Sequence, residues 1–94
     1  MAAEKTGDAA LDRLRALLAT NDLALLDSVN RRLDLVHELK QRKDELGVSF
    51  VDREREAWLL DHLRQANNGR LSEEGLREFF TTVLELTKRE LKAE

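Results

Sequence analysis

Residues 11–46 read LDRLRALLATNDLALLDSVNRRLDLVHELKQRKDEL, without a glycine or a proline. Leu11, Leu18, Leu25, Leu39 and Leu46 recur on a seven-residue spacing, and Leu14, Val29 and Val36 fill the adjoining positions. That period is helical and is sustained over many turns. The heptad row breaks once, at Arg32. Lys43 falls roughly 20° round the helix from Arg32, at about 100° per residue, and so shares its face. Arg15 lies about 100° from Arg32, at the edge of the stripe, or nearer if the helix supercoils towards about 3.5 residues per turn. A buried cation without a partner is costly, so cations on an apolar stripe point to an anion, a carboxylate partner or solvent.

The chain has 94 residues, which suits one domain with a small core. A helix from about Ala9 to Leu46 would run about 57 Å. The remaining residues can cover only part of it, so a second copy of the chain is the expected cover. The net charge of −3 argues against binding nucleic acid through phosphate neutralisation. Charged residues make up 37 % of the chain, and the aromatics are Phe50, Trp58, Phe79 and Phe80, which is the usage of a soluble helical protein. Without cysteine there is no disulfide framework and no thiolate metal site. Residues 1–7 contain no apolar leader and no stretch approaches a membrane span, so a cytoplasmic location with no membrane partner is expected.

Taken in order, residues 1–8 read as a disordered tail ending in Asp8, a candidate N-cap, and residues 9–94 as one helical domain. Gly47 stops the long helix as a left-handed cap. Ser49, with Asp52 three residues later, has the spacing of a capping box and opens a second helix at about residues 50–52. Its apolar positions are Leu59, Leu60 and Leu63, with Trp58 at the margin. Asn67-Asn68-Gly69-Arg70 signals a turn. Ser72 then caps a third helix, with Glu73 and Glu74 at its positive end. Leu76, Phe79, Phe80, Val83, Leu84, Leu86 and Leu91 are its expected buried face. The fold class is all-α: one long N-terminal helix and two shorter ones.

Several chemistries fail on spacing. His37 and His62 are not spaced as ligands with each other or with a third donor, so they read as surface residues and no metal site is expected. His37-Glu38 lacks the second histidine of a zincin. No glycine-rich loop cradles phosphate. The run Asp52-Arg53-Glu54-Arg55-Glu56 suits a solvated first turn with helical ion pairs. The combination says more: Arg15, Arg32, Lys43 and Arg55 lie on or beside apolar faces, and Asp52 and Glu56 sit one turn apart. Inward cations suit a small dianion, and two carboxylates suit a hydroxyl donor beside it. An interaction protein of coiled-coil type, whose cations pair with acids across an interface, fits the same pattern.

The order of these residues resembles the all-helical chorismate mutases of the AroQ class. The matching signature is Arg15, then Arg32 in Asn30-Arg31-Arg32, then Lys43 in Lys40-Gln41-Arg42-Lys43, then Asp52-x-x-Arg55-Glu56 followed by Leu59-Leu60-x-x-Leu63. The resemblance implies an intertwined homodimer of three-helix chains, using no metal and no cofactor. It implies the Claisen rearrangement of chorismate to prephenate, in aromatic amino acid biosynthesis (the shikimate pathway). By analogy Arg15 of the partner chain and Arg32 clamp the two carboxylates, with Arg55 assisting. Lys43 donates to the ether oxygen and a carboxylate. Glu56, and Asp52 largely through its backbone, hold the ring hydroxyl. Thr87 falls where the family often has a serine touching a carboxylate. Arg15 and Lys43 are 28 residues apart on one helix, or about 42 Å. One small ligand therefore meets both only if two helices run antiparallel about an axis near residues 25–29.

One position departs from the family. A Gln or Glu usually follows the serine position by one turn and donates to the ether oxygen. Here that register gives Leu91, with Glu90 as its neighbour. Either helix three shifts and Glu90 serves, or the donor is missing. A missing donor admits an aminodeoxychorismate mutase or an isochorismate-pyruvate lyase on the same fold. A non-catalytic dimeric regulatory module is the remaining alternative. The apolar pattern of Leu76, Phe80, Val83 and Leu84 favours the Leu91 register.

Overall fold

A computed structural model describes residues 5–92. Residues 1–4 of the expected tail over residues 1–8, and residues 93–94 at the end of the expected domain, lie outside the described residues. Three helices follow in order among the described residues, α1 over Ala9–Leu46, α2 over Arg53–Ala66 and α3 over Glu73–Lys92. Among the described residues there is no strand. The chain divides at Asp34 and Leu35 into two units, Met1–Asp34 and Leu35–Glu94.

Local chemistry sets the helix ends. Asp8 accepts from the Leu11 amide at 2.9 Å through its side chain, satisfying one of the orphan donors at the start of α1. Thr6 reaches Asp12 with both its amide and its hydroxyl, each at 2.8 Å. At the other end of α1, Gly47 adopts φ +72°, which an L side chain adopts only at a cost. The Val48 amide donates to the Lys43 carbonyl at 3.0 Å and the Gly47 amide to that of Asp44 at 3.2 Å. Those two bonds make a Schellman cap in which Lys43 belongs to the last turn.

The start of α2 corrects the expectation for Ser49. The N-cap is Asp52, extended at φ −132° and ψ 97°, whose carboxylate accepts from the Arg55 amide at 3.0 Å. Ser49 instead donates its hydroxyl to the Val51 carbonyl at 3.2 Å. An ionised carboxylate only accepts hydrogen bonds and is favoured at the positive helix end, so it takes the cap over a hydroxyl further back. The helix consequently begins at Arg53, later than residues 50–52. The Asn67 turn is as expected: its side chain accepts from the Gly69 amide at 3.1 Å and donates to the Leu71 carbonyl at 2.7 Å. Ser72 caps α3, its hydroxyl accepting from the Gly75 amide at 3.0 Å.

The core of Leu35–Glu94 lies on α3, which packs against α2. Among the described residues Leu76, Thr87 and Leu91 are buried, with Phe80, Val83, Leu84 and Leu86 half-buried. Phe79 departs from the expected buried face and stays exposed. It lies about 100° round the helix from Phe80 and meets that ring edge-on at 5.1 Å between centroids. On α2, Leu59, Leu60 and Leu63 are half-buried and Trp58 is exposed. Within Met1–Asp34 the apolar row of α1 is open: Leu11, Leu14, Leu18 and Leu25 are 40, 52, 62 and 46 % exposed.

Candidate functional site

Lys43 is the residue most completely placed by its surroundings. The Schellman cap turns the chain back beside it, and its Nζ donates to the Phe50 carbonyl at 3.1 Å. The same ammonium lies 6.0 Å from the centroid of the Phe50 ring, at the outer reach of a cation–π contact. Half-buried in this way, Lys43 lines an open cleft of about 660 Å³. Ser49, Asp52, Arg53 and Glu54 share the lining. The cleft therefore presents cations and carboxylates together.

On α2, Asp52 has one carboxylate oxygen committed to the cap, and its carbonyl accepts from the Glu56 amide at 3.1 Å. The Arg55 guanidinium stacks over the Trp58 ring at 4.1 Å, and Trp58 stacks in turn on His62, with ring centroids 4.6 Å apart. Glu56 is half-buried and reaches α3, where its Oε2 lies 2.8 Å from Lys88 Nζ. Thr87 is buried and donates its hydroxyl to the Val83 carbonyl at 2.7 Å. Leu91 is buried at 3 % exposure, whereas Glu90 is exposed with its carboxylate 3.8 Å from Arg89.

Two of the expected residues belong to Met1–Asp34. Arg15 is exposed on α1, and Arg32 is half-buried. Burial lowers the Arg32 guanidinium below its ordinary pKa, the direction desolvation gives a cation. His37, expected at the surface, is half-buried in Leu35–Glu94 instead. So Lys43 and Asp52 meet at one cleft, Glu56 and Lys88 at an ion pair, and Arg55 on Trp58.

Residues 14–92 match the family described as chorismate mutase type II. The chain belongs to that family. It is the AroQ class, and the activity that names it, chorismate mutase, is that of an isomerase. No curated protein matches the chain. The match begins just before Arg15 and ends just after Leu91, so the whole chorismate mutase signature lies within it.

Among the residues of this chorismate mutase-type chain that the sequence reading left out of the site are Arg53 and Lys88. Arg53 lines the cleft although it lies outside the matched signature. Lys88 pairs with Glu56 across two helices. The signal for Lys88 was present, because it stands four residues after Leu84 and three before Leu91, within the apolar stripe of α3. The same irregularity singles out Arg32 in α1. No described helix is long and apolar enough to cross a membrane.

Proposed function

We propose that the chain is a chorismate mutase, a homodimer that rearranges chorismate to prephenate. The observation that carries this reading is the family match over residues 14–92, in a chain where Lys43 and Asp52 line one cleft. A pericyclic rearrangement needs no general base and no covalent intermediate. It needs the enolpyruvyl arm held over the ring and a donor aimed at the ether oxygen as the C–O bond breaks. Lys43 is that donor, and its ammonium also meets a carboxylate. Arg32, Arg55 and Arg15 of a second chain clamp the two carboxylates. Glu56 accepts from the ring hydroxyl, Asp52 holds that hydroxyl largely through its backbone, and Thr87 stands beside a carboxylate. No cofactor enters. The open leucine row of Met1–Asp34 supports a second copy as its cover, because a contiguous apolar face is an interface in waiting.

The step belongs with a cytoplasmic enzyme of aromatic amino acid biosynthesis. The test is incubation with chorismate, followed by the loss of its absorbance and by product analysis. Prephenate accumulating without pyruvate supports the reading. Released pyruvate would identify a lyase instead, and unchanged chorismate a non-catalytic module. Binding is tested separately: a prephenate-like dianion at about 100 times its Kd should stabilise the fold by about 2.7 kcal/mol.

A further inference from the structure

The ion pair between Glu56 and Lys88 is shorter and more buried than the Arg64–Glu73 pair, which also joins α2 to α3, at 3.6 Å with side chains 44 and 77 % exposed. Its 2.8 Å contact links α2 to α3, with side chains 26 and 39 % exposed. The Arg42–Glu45 pair lies within one helix, and its side chains are 67 and 66 % exposed. A partly desolvated pair is less screened and holds its geometry better. A carboxylate offers about four lone-pair sites, so an ammonium on Oε2 fixes the group and leaves acceptor capacity over.

We infer that Lys88 positions Glu56 and makes the site select a neutral hydroxyl over an ammonium at the place Glu56 serves, an inference that rests on the chorismate reading above. Asp52 and Glu56 together are two negative charges one turn apart, and by themselves they would favour a cationic substituent. Lys88 neutralises one of them. A hydroxyl still donates its single proton to Glu56, whereas an ammonium there brings a second positive charge close to Lys88. Lys88 is thus a positioning residue, acting through Glu56 on which ring substituent the site accepts.

The test compares chorismate with its analogue bearing an amine in place of the ring hydroxyl, using the unaltered protein, Lys88→Gln and Lys88→Arg. Losing a hydrogen bond to a charged group should lower kcat/KM for chorismate about tenfold in Lys88→Gln, chiefly through KM. The preference for chorismate over the amine should fall by a similar factor. Lys88→Arg should keep that preference. Circular dichroism checks the helix content, and Lys88→Met, which keeps most of the aliphatic stem, replaces Lys88→Gln should that variant unfold. A lysine that only ties α2 to α3 would lower both substrates in proportion, and an unchanged ratio overturns the inference. So does an unaltered protein that prefers the amine. Turnover of neither substrate overturns the chorismate reading and this inference with it.

Discussion

Lys43 Nζ donates to the carbonyl of Phe50, seven residues on, at 3.1 Å. The bond spans the turn at Gly47, so the end of α1 and the approach to α2 are fixed by the residue proposed to meet the ether oxygen. The Lys43 backbone carbonyl takes part as well, accepting from Val48. Helix termination and the proposed substrate contact thereby fall on one residue.

Replacing Lys43 separates those roles. Lys43→Ala should lower kcat by about 10²–10³, the range for one preorganised transition-state donor. Its backbone bonds survive, so loss of the Phe50 contact should cost only about 0.5–1.5 kcal/mol. Arg42→Ala is the control, since Arg42 is exposed and paired with Glu45. Comparable losses of kcat in the two proteins would remove Lys43 from the proposed role.

Gly47 tests the turn itself. Nothing lies within 4 Å of a Cβ built there, so a side chain meets no clash and only the conformational cost of φ +72° remains. Gly47→Ala should destabilise by about 1 kcal/mol, measured by urea denaturation at fixed protein concentration. An unchanged midpoint would show that the turn relaxes freely.

Asp52 is a cap as well as a cleft residue. Asp52→Ala should cost about 1 kcal/mol, whereas Asp52→Asn, an equally good cap, should cost nearly nothing. If Asp52 serves the ring hydroxyl mainly through its backbone, Asp52→Asn should also keep most of the activity. A stable but inactive Asp52→Asn protein would assign the function to the carboxylate.

Helical periodicity made the architecture legible, because caps act within a few residues. Asp8, Gly47 and Ser72 end their helices as their residue types require. Ser49 misled because two residues three apart both suit a cap, and the carboxylate won. Phe79 misled because it stands about 100° round α3 from Phe80, where the packing against α2 leaves it exposed. Tertiary pairing was the harder part. Lys88 meets Glu56 through the packing of two helices, which no local spacing specifies. The resemblance carried by the order of residues from Arg15 to Glu56 was legible in the sequence, and residues 14–92 match that family.

The donor position on α3 is open to a direct test. Glu90 is exposed beside Arg89, so Glu90→Gln should leave the rate unchanged and the pH profile near neutrality flat. Leu91 is buried, and Leu91→Gln should raise kcat by supplying a donor while lowering Tm through lost packing. A rate that rises towards acid pH and is abolished by Glu90→Gln would place Glu90 at the ether oxygen, since only a protonated carboxyl donates.

Mixing two inactive proteins tests most directly whether chorismate is rearranged in a site made by two chains. Arg15→Ala and Lys43→Ala chains are combined, subunit exchange is verified, and prephenate formation is followed. With Arg15 supplied in trans, a heterodimer has one site lacking both side chains and one lacking neither, so activity should reappear in the mixture. No recovery after full exchange would contradict the shared site.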